Sequence, residues 1–208
     1  MKFQINSLRE LKEKQKLFVI ETCLLGDPVL ESPILKEIWL DPRVKIKGNL
    51  GMTKEQIWEK WWMGADGPGK TPDNDLDVDI IGYWSYSRTI GSVSLNGIVQ
   101  RLNRKFLQGW LTREQYRDLF EHICHEGFHK ISFYHSGKWS RNEDVTYQFG
   151  RCSEKAFVEY YKVNKYDKEE LRGRAQQILK GLNPKFGRAT LLGADKGLGG
   201  RISHFNFK

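Results

Sequence analysis

The sequence predicts an α+β domain on three observations. Capped helical stretches occupy both ends of the chain, a β-rich run with an Asn-Gly turn lies in the middle, and a histidine-bearing helix follows that turn.

Helix signals open the chain. Ser7 followed by Glu10 reads as a capping box for "LRELKEKQKLFVIETCLL", which Gly26, Asp27 and Pro28 end. Ser32 caps a second helix, with Pro33 in its first turn, where the missing N–H is not needed, and Asp41-Pro42 as the stop. Thr53 with Gln56 caps a third, "KEQIWEKWWM". From Tyr83 the pattern turns to β: "YWSYSRTIGSVSL", then Asn96-Gly97, then "IVQRL". Asn-Gly between such runs marks a hairpin, because both turn positions need positive φ. Thr112 with Gln115 caps the helix that carries the histidines. Two further helices follow, from Val145 to Val163 and from Asp167 to Leu182. No internal repeat is present.

Composition narrows the class. The 208 residues suit one well-cored domain, and 39% hydrophobic content with seven Trp leaves little of the chain to read as disordered. No run of about 18 apolar residues is available to span a bilayer. The start, "MKFQINSLRELKEKQK", is too charged for a secretory segment, so the expected setting is cytoplasmic, with no membrane partner. Cys23, Cys124 and Cys152 are an odd, widely spaced set without CxxC, which predicts reduced core residues rather than disulfides or a cysteine zinc knuckle. The net charge of +8 is spread along the chain, and ordinary solvation explains most of it. Residues 184–208 combine five Lys/Arg against one Asp with many glycines and form a basic tail, the one place where nucleic acid is a candidate partner.

Two stretches imitate ligand sites. "GADGPGKT", Gly64 to Thr71, fits the letters of a phosphate-binding loop, but a Trp-rich helix leads in and "PDNDLDVD" leads out, where a buried strand and a helix are required. Asp73, Asp75, Asp77 and Asp79 resemble a calcium loop, yet Val78 and Trp84 stand where its glycine and glutamate belong. The expectation is a solvated acidic loop.

The stretch "HICHEGFHKISFYHS" holds four of the five histidines. At about 100° per residue, Tyr116, Phe120, Ile123, Gly127 and Ile131 form one stripe, while His125 and His129 fall almost opposite it. One face packs and the other displays imidazoles. His125 and His129, at i and i+4, are within reach of a single tetrahedral ion, with Glu126 beside them as HExxH requires. Gly127 on the packed face permits a close approach. A helix ending near Ser132 or Phe133 lets the chain turn and bring His135 to the open side of the ion. Glu154 and Glu159 of the next helix are the alternative third ligands, since a carboxylate also completes catalytic zinc sites. His122 lies behind the ligands or in solvent, and Tyr134 and Tyr147 are candidate donors to a reaction oxyanion.

Read from His125, "HEGFHKISFYH" is HExxHxxSxxH, which resembles the HExxHxxGxxH of the metzincin metallopeptidases. The likeness is close over about eleven residues. In its order of hairpin, NRKF segment, histidine helix and short C-terminal helices, the chain also looks like small zincin-like proteins encoded by tailed bacteriophages. Ser132 stands where the family has glycine, and no methionine follows the motif. The resemblance implies a zincin-like domain over residues 1–183, a zinc ion on His125, His129 and His135, and Glu126 as general base of a metalloendopeptidase. It further implies a peptide or protein substrate added to an edge strand, expected in "GIVQRL", and, for a phage protein, the host cytoplasm. The alternative is a non-catalytic zincin-like structural or binding protein, associated with a virion or nucleic acid.

Overall fold

Residues 1–64, 73–93, 99–135 and 137–182 are described by a computed structural model of the chain. The first element is a strand, β1 (Lys2–Arg9), where the capping box predicted a helix start. Ser7 spends its hydroxyl on the Asp79 carboxylate, 2.7 Å away, and Asn6 donates to Asp77, so both side chains serve strand pairing. Helix α1 (Glu13–Glu31) therefore begins later, and it runs through Gly26 and Pro28 instead of stopping there. Gly26 is a point of close approach: a Cβ there would lie 2.6 Å from ring atoms of both Phe120 and Phe3. Pro28 removes one N–H from the helix ladder, and nearby the Tyr161 hydroxyl donates to the Leu25 carbonyl at 2.8 Å.

Helices α2 (Pro33–Leu40) and α3 (Lys54–Trp62) follow where predicted, the latter with its Thr53/Gln56 capping box formed, whereas Ser32 precedes α2 without capping it and donates its hydroxyl to the Val29 carbonyl at 2.8 Å. Strand β2 (Asp75–Tyr83) replaces the expected acidic loop. Leu76, Val78 and Ile80 bury one face. Asp77 is itself buried, hydrogen-bonded by Asn6 from the neighbouring strand, and Asp75, Asp77 and Asp79 share one face of the strand. Of the phosphate-loop imitation only Gly64 is described, at φ +68 with its Cα face against the Asp75 carbonyl.

β3 (Gly91–Val93) and β4 (Gln100–Asn103) pair antiparallel, as a hairpin would; the predicted Asn96-Gly97 turn lies outside the described residues. The sheet order is β1-β2-β4-β3, with β1, β2 and β4 parallel. The "QRLN" strand is therefore interior, and the edge on that side is β3, a correction to the edge expected in "GIVQRL". Helix α4 (Arg104–Thr112), capped by Asn103, was not foreseen, and it takes Thr112 as its last residue. The histidine helix α5 (Tyr116–Lys130) is accordingly preceded by Gln115, not capped by Thr112.

α5 packs against β2, β3 and α6 (Val145–Val163), while α7 (Lys168–Gly181) packs on α1. The predicted stripe is buried, with Phe120 and Ile123 at 0% exposure, and Gly127 allows Leu76 and Trp61 to approach where a Cβ would meet them at 2.8 and 3.2 Å. An aromatic cluster closes the core. Phe149 lies 4.3 Å from Phe128, 4.6 Å from Trp61 and 5.3 Å from Trp39, centroid to centroid. The three cysteines are free and buried, as expected. No helix among the described residues is long and apolar enough to cross a membrane. Residues 183–208, including the basic tail, lie outside the described residues.

Candidate metal centre

The path of the chain after α5 decides the geometry of the site. The helix ends at Lys130, two to three residues before the predicted stop, and Ser132 takes φ +74. That left-handed turn is the one glycine adopts most easily, and a serine holds it here at a cost on the order of 1 kcal/mol. What offsets the cost is Phe133, which turns back into the core at 0% exposure and stacks on Phe128 at 5.0 Å. His135 is thereby returned to the face of α5 that carries His125 and His129.

One ring nitrogen from each of His125, His129 and His135 lies within 4.8 Å of the other two, and these three form a group able to hold a metal ion. Nε2 of His125 and Nε2 of His135 are 3.2 Å apart. Two nitrogens each about 2.05 Å from a tetrahedral ion stand about 3.3 Å apart, so the spacing fits. The remaining nitrogens are already engaged. His129 Nδ1 donates to the Phe133 carbonyl at 2.6 Å, His125 bonds the Thr146 backbone, and His135 Nδ1 faces Asp144 Oδ1 at 3.0 Å and the Thr146 hydroxyl at 2.9 Å. A ring whose far N–H is held in this way presents a lone pair inward. Burial, reinforced by the neighbouring imidazoles, pushes His125 well below the usual histidine range and His129 down to about 4, so both rings are neutral and able to coordinate at pH 7.

Asp144 was missed in the sequence. It caps α6, its Oδ1 accepting from the Thr146 and Tyr147 amides, and an aspartate just ahead of a predicted helix is the signal that marks it. Burial raises its carboxyl, but hydrogen bonds from His135 and Thr146 outweigh burial and hold it below the ordinary range. Lys130 is also buried, its ammonium donating to the Asp77 carbonyl, which ties the end of α5 to β2.

Glu126 is buried beside the group, and its Oε2 has no hydrogen-bond partner. Burial raises its carboxyl to about 8. His122, one turn earlier, is no part of the three-histidine group. Its ring is enclosed, burial lowers it to about 3, and its Nε2 is unpartnered against Gly91 of the edge strand, where a Cβ would come within 2.5 Å. Glu126 and His122 open into a cavity of about 210 Å³, lined also by Trp110, Glu121, Tyr147 and Arg141. Glu121, which the sequence reading also passed over, is raised to about 7 by burial and by the nearby Glu154 and Asp118.

The alternative carboxylates lie elsewhere. Glu154 pairs with Arg117 at 3.2 Å and Glu159 with Lys162 at 2.7 Å, and neither belongs to the histidine group. Tyr147 lines the cavity and stacks on His135 at 4.3 Å, whereas Tyr134 lies parallel to His129 at 6.0 Å, outside the cavity lining. The described fold is mixed α/β with a small open sheet. In comparisons with known proteins the chain matches no family model, no curated protein and no solved structure.

Proposed function

We propose that the chain is a zinc-dependent metallopeptidase with His125, His129 and His135 as ligands and Glu126 as general base. One observation carries the reading: three histidine ring nitrogens converge beside a buried carboxylate oxygen that has no partner, and His125 and that carboxylate line a cavity bordered by a strand edge.

When bound, a zinc ion on three neutral imidazoles supplies Lewis acidity, bringing the pKa of water from about 15.7 to about 7 and polarising a carbonyl. The protein's own groups do the rest. Glu126 accepts the proton of the attacking water and passes it to the leaving amine as the C–N bond breaks, so the carboxyl begins and ends ionised. Burial alone opposes that ionised form, and a dication held four residues or fewer away along the helix favours it. The edge of β3 offers backbone groups on which an extended substrate can pair, and Gly91 keeps the gap between that edge and α5 narrow. Tyr147, stacked on His135 and lining the cavity, is the candidate donor to a reaction oxyanion.

The test is Glu126→Ala in the zinc-loaded protein, read on a proteome-derived peptide library. Retained zinc and fold with cleavage lost support catalysis. A wild-type protein that holds stoichiometric zinc and cleaves nothing, with the variant indistinguishable from it, leaves the zincin-like structural or binding protein instead.

A further inference from the structure

The loop between β2 and β3 carries Trp84 and Tyr86, which are 54% and 84% exposed. Large aromatic rings cost free energy in water, and two of them two residues apart on a loop invite a partner. The loop is rigidly built. The Asn103 amide, fully buried, donates to the carbonyls of Ser85 and Thr89 at 3.1 Å each, and the Tyr83 hydroxyl donates to Thr89 at 3.2 Å. The rings stand edge to face with centroids 6.3 Å apart. Presentation of this kind removes most of the ordering entropy from binding.

Cations lie on the loop and the adjoining elements. Lys105 lies over Tyr86 at 6.0 Å, Arg101 over Tyr83 at 5.3 Å, and Arg88 is exposed on the same loop. Among the described residues no carboxylate forms an ion pair with Arg88, Arg101 or Lys105, in contrast to the paired Arg43, Arg117 and Lys168. Exposed aromatic rings with unpaired cations beside them are what a strand of unpaired bases requires: bases stack on the rings, and phosphates meet the cations. A duplex hides its base faces and makes no use of the rings, and an acidic peptide makes no use of stacking.

We propose that the Trp84/Tyr86 loop, flanked by Arg88, Arg101 and Lys105, is a binding platform for single-stranded nucleic acid. It is distinct from the basic tail and independent of the peptidase reading.

The experiment is anisotropy of short labelled oligonucleotides, single-stranded and duplex, with the full chain over a salt series. Wild type binds the single strand at low salt, with log K falling against log salt at a slope of about −2, as three phosphate contacts at about −0.7 each require. Trp84→Ala and Tyr86→Ala each weaken binding about tenfold through lost stacking. Lys105→Glu flattens the slope. The proposal is overturned if wild type fails to bind the single strand at low salt. It is equally overturned if a Trp84→Ala/Tyr86→Ala double variant binds at full strength, which would place the contact elsewhere, or if duplex or polyglutamate competes as well as the single strand.

Discussion

Asp144 Oδ1 lies 3.0 Å from Nδ1 of His135, and the same oxygen accepts from the Thr146 amide at 3.0 Å and the Thr146 hydroxyl at 2.6 Å. The cap of α6 and the orientation of the third histidine are thus one hydrogen-bonded unit. An element that packs along α5 also aims a ring at the face of α5. Asp144→Ala is expected to lower zinc affinity by roughly 10- to 100-fold, the usual effect of removing a carboxylate behind a histidine ligand. Without metal it should cost about 1 kcal/mol, the value of an N-cap. Chelator competition and urea unfolding measure the two separately, and unchanged affinity would mean that the Thr146 hydroxyl and stacking on Tyr147 hold the ring without the carboxylate.

Ligand identity has its own discriminating pair. His135→Ala is expected to abolish stoichiometric zinc binding at micromolar metal, while Glu159→Ala, whose carboxylate is engaged with Lys162, keeps it. Metal analysis after gel filtration decides the matter. Full zinc in the first variant with loss in the second would reverse the assignment.

Two glycines in helices should respond in opposite directions to alanine. Gly26→Ala places a methyl 2.6 Å from rings of Phe120 and Phe3, and overpacking of about 1–3 kcal/mol outweighs a propensity gain of about 1 kcal/mol. Gly173 in α7 has nothing within 4 Å of a built Cβ, so Gly173→Ala stabilises by about 0.5–1 kcal/mol. Denaturant midpoints give the signs. A stabilised Gly26→Ala would show that α1 and α5 are further apart than described.

Asp27 predicts a pH dependence. Burial raises its carboxyl from 3.8 to about 6, against the opposing pull of the Phe3 amide that donates to it at 2.8 Å. The native state therefore binds this proton more tightly than the unfolded chain does. Its contribution favours folding below pH 3.8, fades as pH rises through about 6, and above that remains a cost on the order of 3 kcal/mol. Asp27→Asn keeps an acceptor for Phe3 and removes the titration. It should be more stable than wild type at pH 7–8, with the gap closing toward pH 4. A difference independent of pH would contradict the burial argument.

The histidine helix was legible because every signal in it is local. Spacing of His125 and His129, the buried stripe through Phe120 and the approach at Gly127 all follow from one helical period. Ser7 misled for the converse reason. A serine three residues before a glutamate satisfies the capping pattern in any chain, but here Asp79, 72 residues away, takes its hydroxyl. The aspartates of β2 read as a loop because charge alternation resembles solvation until Asn6 is brought alongside Asp77. Asp144 carried only the faint mark of a residue preceding a helix.

By itself, the sequence determined which residues share a helix face, where α3, α6 and α7 begin, and that two imidazoles and a carboxylate lie within one turn of each other. These depend on rotation per residue and on capping within a few positions. Only the tertiary structure decided that β1 pairs in parallel with β2, that β3 is the edge beside the cavity, and that His135 closes on His125. Those outcomes rest on Phe133 burying against Phe128, on a left-handed Ser132, and on Asp144 arriving with α6. Each is a contact whose free energy is realised only when segments distant in the chain pack together, and no local pattern records it.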